Sequence, residues 1–196
     1  MEIGDAKEVY FLDTNAYALL LRGIPAQADA RLRAKLSCGD YIEAAISLLT
    51  ALEIHSVVGQ LARAQSGGLH SCERTVLATE GHTHCAHRWI QTQRAGLRPR
   101  EVDRLRKSIK DAESGRGPIR LTVVPIIPLD FENGRMRLYS HAVKWRFGSH
   151  DAVISAAAAN FAGGNARFVT SDTALKSCLK AVGQRYYDPL KDELWR

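Results

Sequence analysis

The first information in this 196-residue chain lies in what it lacks. No run approaches the ~18 uncharged apolar residues of a spanning helix, which excludes a membrane-crossing segment of that kind. The amino-terminal stretch MEIGDAKEV is mixed in charge and leads into only a short apolar run. It does not read as a signal peptide, so the expectation is a cytoplasmic protein. The four cysteines, at 38, 72, 85 and 178, have no C-x-x-C spacing. Free thiols are therefore expected rather than a disulfide framework. Glycine and proline, 15 and 6 residues, are too few for a collagen-like or linker-rich chain, and no internal repeat or low-complexity tract is present. What remains is an ordinary globular composition, 45% hydrophobic and 24% charged. The length suits one domain with an insertion, or two small domains, and is enough to bury a core.

The formal net charge of +6 is unevenly placed. Residues 59–120 hold 12 Lys/Arg against 6 Asp/Glu, and the remaining chain balances to zero. A polyanionic partner and a merely basic surface both account for such a middle third.

Apolar spacing lays out alternating elements. Val9–Leu12 is a β-prone run broken at Asp13-Thr14-Asn15, and helical spacing follows from Ala16 to Leu21. A second helix is expected over Ala26–Leu36, a strand over Tyr41–Leu48, and a helix opening at Thr50-Ala51-Leu52-Glu53 with Ile54, Val57, Val58 and Leu61 on its apolar face. Arg100–Glu113 reads as an amphipathic helix, with Val102, Leu105, Ile109 and Ala112 on one face and Arg100, Arg104 and Lys107 on another. Beyond it come a strand within Ile119–Ile127, a helix over Asp130–Trp145, and an Ala-rich helix over Ser149–Ala162 capped by Ser149. Strand Arg167–Thr170, helix Thr173–Val182 and a short strand at Arg185–Tyr187 complete the order. Strands alternating with helices predict an α/β fold with a mostly parallel sheet.

Four acids fall at equivalent places in this layout. Asp13 ends the first strand, Asp172 follows the strand Arg167–Thr170, and Asp151 and Glu53 lie in the first turns of helices. In an open parallel sheet the carboxyl ends of the strands share one edge, so these acids can converge although far apart in the chain. Carboxylates held close repel one another unless a cation compensates them or some stay protonated. All-oxygen donors suit Mg²⁺ or Mn²⁺, which can acidify a water and stabilise charge on a phosphoryl group. Each acid also has a plainer explanation. Asp13 and Asp172 are good helix N-caps, Thr50-x-x-Glu53 matches a capping box, and Asp151 complements a helix dipole.

The ordered set of segments adds to this. Phe11-Leu12-Asp13-Thr14-Asn15, Ser47–Ile54, Ser149-His150-Asp151-Ala152-Val153-Ile154 and Val169-Thr170-Ser171-Asp172 resemble the four signature segments of PIN domains. The nearest resemblance is to the VapC-like toxins of bacterial toxin–antitoxin pairs, over roughly residues 8–62 and 119–190. The resemblance implies a single PIN-like domain, a three-layer α/β/α sandwich, with a helical, basic insertion at about 63–118. It implies a metal-dependent endoribonuclease that hydrolyses the phosphodiester to a 3′-hydroxyl and a 5′-phosphate. In that family Asp13, Glu53, Asp151 and Asp172 would form the acidic cluster that binds Mg²⁺ or Mn²⁺, and Asn15 and Thr170 would support it. An RNA substrate, a protein antitoxin and a homodimer are implied in the same way. Thr173-Ala174-Leu175-Lys176 stands where many relatives carry a further acid.

Within the insertion, Cys72, His82, His84, Cys85 and His87 are good zinc ligand types but match no standard finger spacing. They read either as a zinc site or as a polar, RNA-facing loop. Arg100, Arg104 and Lys107 can track an RNA backbone and Trp89 can stack on a base, or they form a solvated face and a packing anchor. His55 is expected in the core or at an interface, and His150 beside substrate. The rival functional reading is a PIN-fold module that binds RNA or protein without cleaving. A haloacid-dehalogenase-type phosphatase would need Asp-x-Asp where Asp13-Thr14-Asn15 stands, and a receiver domain would need an acidic pair there.

Overall fold

The computed structural model describes residues 8–22, 27–64, 68–71, 75–78, 81–84, 88–91, 95–161 and 165–195. The chain builds an α/β fold on a seven-stranded, mostly parallel sheet. Its strands are β1 (Val9–Leu12), β2 (Ser37–Cys38), β3 (Tyr41–Ser47), β8 (Ile119–Val124), β9 (Ala166–Val169), β10 (Tyr186–Asp188) and β11 (Glu193–Trp195). β8, β3, β1, β9 and β10 run side by side and parallel. β11 adds antiparallel to β10, and β2 pairs antiparallel with the start of β3. Ile42 pairs with both Ser37 and Ile119, so β2 and β8 lie on opposite edges of β3.

Alternation along the strands divides the core. Phe11, Ala45, Ala166, Phe168 and Tyr186 enter one apolar cluster, while Leu12, Ala44, Ile46, Val169 and Tyr187 enter another. Successive side chains of a strand point to opposite faces, so the sheet is covered on both. The helices sort accordingly. α1 (Thr14–Arg22), α2 (Gln27–Leu36), α3 (Leu48–Ala62) and α4 (Pro99–Glu113) feed one cluster, and α7 (Ser149–Asn160) and α8 (Thr173–Ala181) the other. Burial of a large apolar side chain contributes about 1.5–3 kcal/mol, so fully buried Phe11, Tyr17, Phe168 and Ile46 anchor the arrangement.

Pro125 follows β8 and has no N–H to continue the ladder, so the strand ends before the Ile127 expected from β-rich composition. The expected helix 130–145 starts earlier, as α5 (Pro128–Arg137), and continues through a π-helical turn, Leu138–Ala142, into α6 (Val143–Trp145). Gly134 lets α5 lie against α7, because a Cβ there would meet Val153 at 3.0–3.2 Å. Two caps differ from expectation. α3 begins at Leu48 with Ser47 as its cap, Ser47 Oγ accepting the Thr50 amide at 2.9 Å. α7 is capped from Gly148, not Ser149, and Asp151 accepts the Gly148 amide at 3.1 Å.

The segment 63–118 is not purely helical. The described residues include β4 (Gly68–Ser71) paired with β7 (Arg88–Gln91), and β5 (Thr75–Ala78) paired with β6 (Gly81–His84), both antiparallel and in one common register. α4, in contrast, belongs to the body. Val102, Leu105, Ile109 and Ala112 are buried on the face anticipated from spacing. α3 and α4 join at a tight neck, where the Leu97 amide donates to Leu61 O at 3.0 Å. Gly96 permits that approach, since a Cβ would stand 2.4 Å from Ala62 O. Cys72, Cys85 and His87 lie outside the described residues; for His82, His84 and Trp89 the description is limited to the backbones of β6 and β7. Among the described residues, no helix is long and apolar enough to cross a membrane.

Candidate functional site

The parallel register brings the carboxyl ends of β1, β3, β9 and β10 to one edge of the sheet. Asp13 follows β1, its amide donating to Val169 O at 3.1 Å, and Thr170 follows β9, its amide donating to Tyr187 O at 3.1 Å. Helices α1, α3, α7 and α8 start from this edge; Asp13 and Asp172 immediately precede α1 and α8, Asp151 lies in the first turn of α7, and Glu53 lies in the second turn of α3. Asp13, Glu53 and Asp151 line one cavity of about 250 Å³, together with Thr14, Asn15, Ser56, Val57 and Gln60. Asp172 does not line it, but its charge raises the pKa of both Asp13 and Asp151. The structure therefore brings all four predicted acids to one edge. Asn15 stands exposed on the cavity wall, and Thr170 lies buried beneath.

The capping role is realised for three acids, with one oxygen each. Asp13 Oδ1 accepts the Ala16 amide at 2.6 Å, Asp172 Oδ1 the Leu175 amide at 2.7 Å, and Asp151 Oδ2 the Gly148 amide. Thr170 ties two of them together. Its oxygen accepts the Asp172 amide at 3.1 Å, and its hydroxyl hydrogen-bonds the Asp13 carboxylate.

Glu53 departs from the capping-box expectation. With Ser47 as the cap, it lies a turn further along α3 than a capping residue would. Both its oxygens are bonded across the site, Oε2 by the Thr14 hydroxyl and Oε1 by His150 Nδ1. Sequence reasoning missed this bracket because its members lie 39 and 97 residues from Glu53. A signal for the α3 wall did exist: 53, 56, 57 and 60 share one helical face, and Val57 packs against the core as expected while also lining the cavity. His55 is exposed and lies on an apolar groove beside the site, not in the core.

The electrostatics match an uncompensated cluster. Burial pushes the Asp13 carboxyl up to about 6, and the charges of Asp151 and Asp172 add to it against the lowering bonds from Thr170 and Ala16. Asp151 is also raised, by burial first and then by Asp172 and Glu53, while the Gly148 amide and His150 oppose. Among the described residues, no group of three or more His, Cys, Asp or Glu side chains is already in position to hold a metal ion. Arg100, Arg104 and Lys107 are exposed on α4 and do not line the acidic cavity. No family model matches the chain, and no curated protein matches its sequence.

Proposed function

We propose that the chain is a Mg²⁺- or Mn²⁺-dependent endoribonuclease of PIN-like, three-layer α/β/α architecture, acting in the cytoplasm as the toxin of a toxin–antitoxin pair. The observation that carries the reading is the cluster itself: four acids from four separate elements at one sheet edge, two of them raised by burial first and then by their neighbours' charge. The parallel order β8-β3-β1-β9-β10, with an apolar cluster on each face, supports the architectural half.

The donor set is chemically suited to a hard divalent cation, being entirely carboxylate and hydroxyl oxygen. Asp13, Asp151 and Asp172 would hold it through the oxygens not committed to capping, and Glu53 would complete the set from α3. Such an ion supplies an acidified water and charge compensation for a phosphodiester. The chain's own residues do the rest. The caps fix three carboxylates on rigid helix starts, and Thr170 sets the separation of Asp13 from Asp172. Thr14 and His150 hold Glu53, and Asn15 offers an amide at the cavity mouth to orient a water or phosphate oxygen. This preorganises the cluster at little cost during the reaction.

Cleavage of RNA with Mn²⁺, Mg²⁺ or EDTA tests the reading. Wild-type protein should cleave with either ion and stop with EDTA, and Asp13→Ala and Asp151→Ala should each lose at least about 10²-fold. Activity that survives EDTA and both substitutions overturns it. The second reading, a fold that binds RNA or protein without cleaving, is favoured by one observation, the engagement of both Glu53 oxygens. Retention of RNA by wild type with no products in Mn²⁺ would select it.

The basic face of α4 is proposed to hold the RNA backbone, since Arg100, Arg104 and Lys107 project from a helix whose other face is core. Charge reversal at all three should weaken RNA binding and reduce its salt slope by about 2–3. Unchanged affinity and slope would make the face ordinary surface.

A further inference from the structure

In the hydrolysis proposed above a water, not the 2′-hydroxyl, attacks the phosphorus, so the reaction itself uses nothing at the ribose. The acidic cluster alone therefore does not distinguish RNA from DNA. The 2′-hydroxyl, both donor and acceptor, is the group by which a protein makes that distinction. A selective ribonuclease needs a side chain placed to read it.

His150 has the position. It is the second residue of α7, its neighbour Asp151 lines the acidic cavity, and its Nδ1 bonds Glu53, another cavity residue. His150 also lines the apolar groove of about 950 Å³ beside the cavity, and its side chain is 61% exposed. It thus stands on the ridge between the two. In a nucleotide the 2′-oxygen is carried by the carbon next to the one bearing the 3′-oxygen. A scissile phosphate held among the acids brings that 2′-hydroxyl to the rim of the cavity, where His150 stands.

His150 also has the chemistry. A bond from Nδ1–H to a carboxylate settles which nitrogen of the neutral ring carries the proton. Nε2 is left as an acceptor, or as a donor when the ring is charged, and a hydroxyl pairs with either. The same bond fixes the ring's orientation, and Glu53 is held from its other oxygen by the Thr14 hydroxyl. Asn15 and Ser56 are also exposed and polar at the cavity, but neither has a side-chain hydrogen bond among the described residues. A group already oriented gives up less freedom on binding than one that is not.

We propose that His150 reads the ribose 2′-hydroxyl of the scissile nucleotide through Nε2, and so makes the chain selective for RNA over DNA. The inference rests on the nuclease reading for the place of the phosphate.

The test compares an RNA oligonucleotide with the same strand carrying one 2′-deoxynucleotide at the mapped cleavage position, both in Mn²⁺. Wild type should cleave the RNA about tenfold faster or more by kcat/KM. His150→Asn separates the two roles of the ring. Its amide nitrogen is bonded to Cγ, as Nδ1 is, and keeps a donor for Glu53, but no second nitrogen remains. This variant should keep most of the activity on the deoxy strand, with the preference reduced below about threefold. His150→Ala should lose the preference as well and fall further on both strands. No preference in wild type, or an unchanged one in His150→Asn, overturns the inference and leaves His150 only as the holder of Glu53. The nuclease reading fails differently, with wild type cutting neither strand. There, or where a variant cuts too slowly, affinities for RNA and for DNA of the same sequence in EDTA decide. A preference for RNA that His150→Asn removes supports the inference, and any other result overturns it.

Discussion

Asp13→Asn is expected to abolish RNA cleavage and at the same time stabilise the metal-free protein. The activity loss, at least about 10²-fold, follows from removing one charge of a preorganised cluster. The stability gain follows from the raised Asp13 carboxyl. Its ordinary value is 3.8 and its folded value about 6, so the folded state binds the proton more tightly than the unfolded chain. Stability must therefore fall as pH rises from about 4 to about 6, and the loss persists above that. The loss is about 3 kcal/mol at 1.36 kcal/mol per pH unit. Asn keeps the cap on the Ala16 amide, because Asn caps as well as Asp. It carries no charge to repel Asp151 and Asp172. In EDTA at pH 8 the variant should melt about 3–10 °C higher than wild type, and the fall between pH 4 and 6 should shrink. Mn²⁺ should raise the wild-type Tm and leave that of the variant nearly unchanged. A variant less stable than wild type at pH 8 in EDTA would mean that Asp13 serves only as a charged helix cap.

That prediction depends on features the sequence displays unequally. The strand–helix alternation was legible because apolar periodicity reports which side of an element meets the core. Val102, Leu105, Ile109 and Ala112 were placed on the buried face of α4 from spacing alone. The convergence of Asp13, Glu53, Asp151 and Asp172 was legible because parallel strands share one carboxyl edge. Cap identity was not. Ser47 and Thr50 are both competent caps three residues apart, and what decides between them is where β3 releases the chain. Choosing Thr50 made Glu53 a capping residue and hid its bracket by Thr14 and His150. The groove was hidden for a related reason. Apolar residues on α3 and α5 suggest a face turned to a core, yet Leu52 and Phe131, on the groove wall, are exposed. Periodicity locates an apolar face; it does not say whether the same chain covers it.

Lys176→Met is expected to be the most destabilising of the substitutions considered, and it falls in the stretch Thr173–Lys176 where many members of the resembled family carry a further acid. One turn after Asp172, Lys176 turns inward and pairs with Asp188 at the end of β10. Both are almost fully buried. Ser171 Oγ donates to Asp188 at 2.7 Å and the Leu190 amide at 3.0 Å. Burial alone would raise the Asp188 carboxyl, but Lys176, Ser171 and Leu190 together hold it below the usual carboxylate range. The sign is thus opposite to that of Asp13. Stability from Asp188 is present above the ordinary value of 3.8 and is lost as pH falls through the lower folded one. Removing the lysine leaves a buried, unpaired carboxylate, at a cost of about 3–5 kcal/mol. At a urea m-value of about 1–3 kcal/mol/M, the midpoint should drop by at least about 1 M. Lys176→Met with Asp188→Asn, which keeps an acceptor for Ser171 and Leu190, should recover all but about 1–2 kcal/mol. A single variant as stable as wild type would show that Asp188 does not depend on this lysine. It would then be free to join the acids across the same sheet edge. With the pair intact, the edge holds two kinds of carboxylate: Asp188, neutralised within the fold, and a separate cluster in which Asp13 and Asp151 are raised by burial and neighbouring charge.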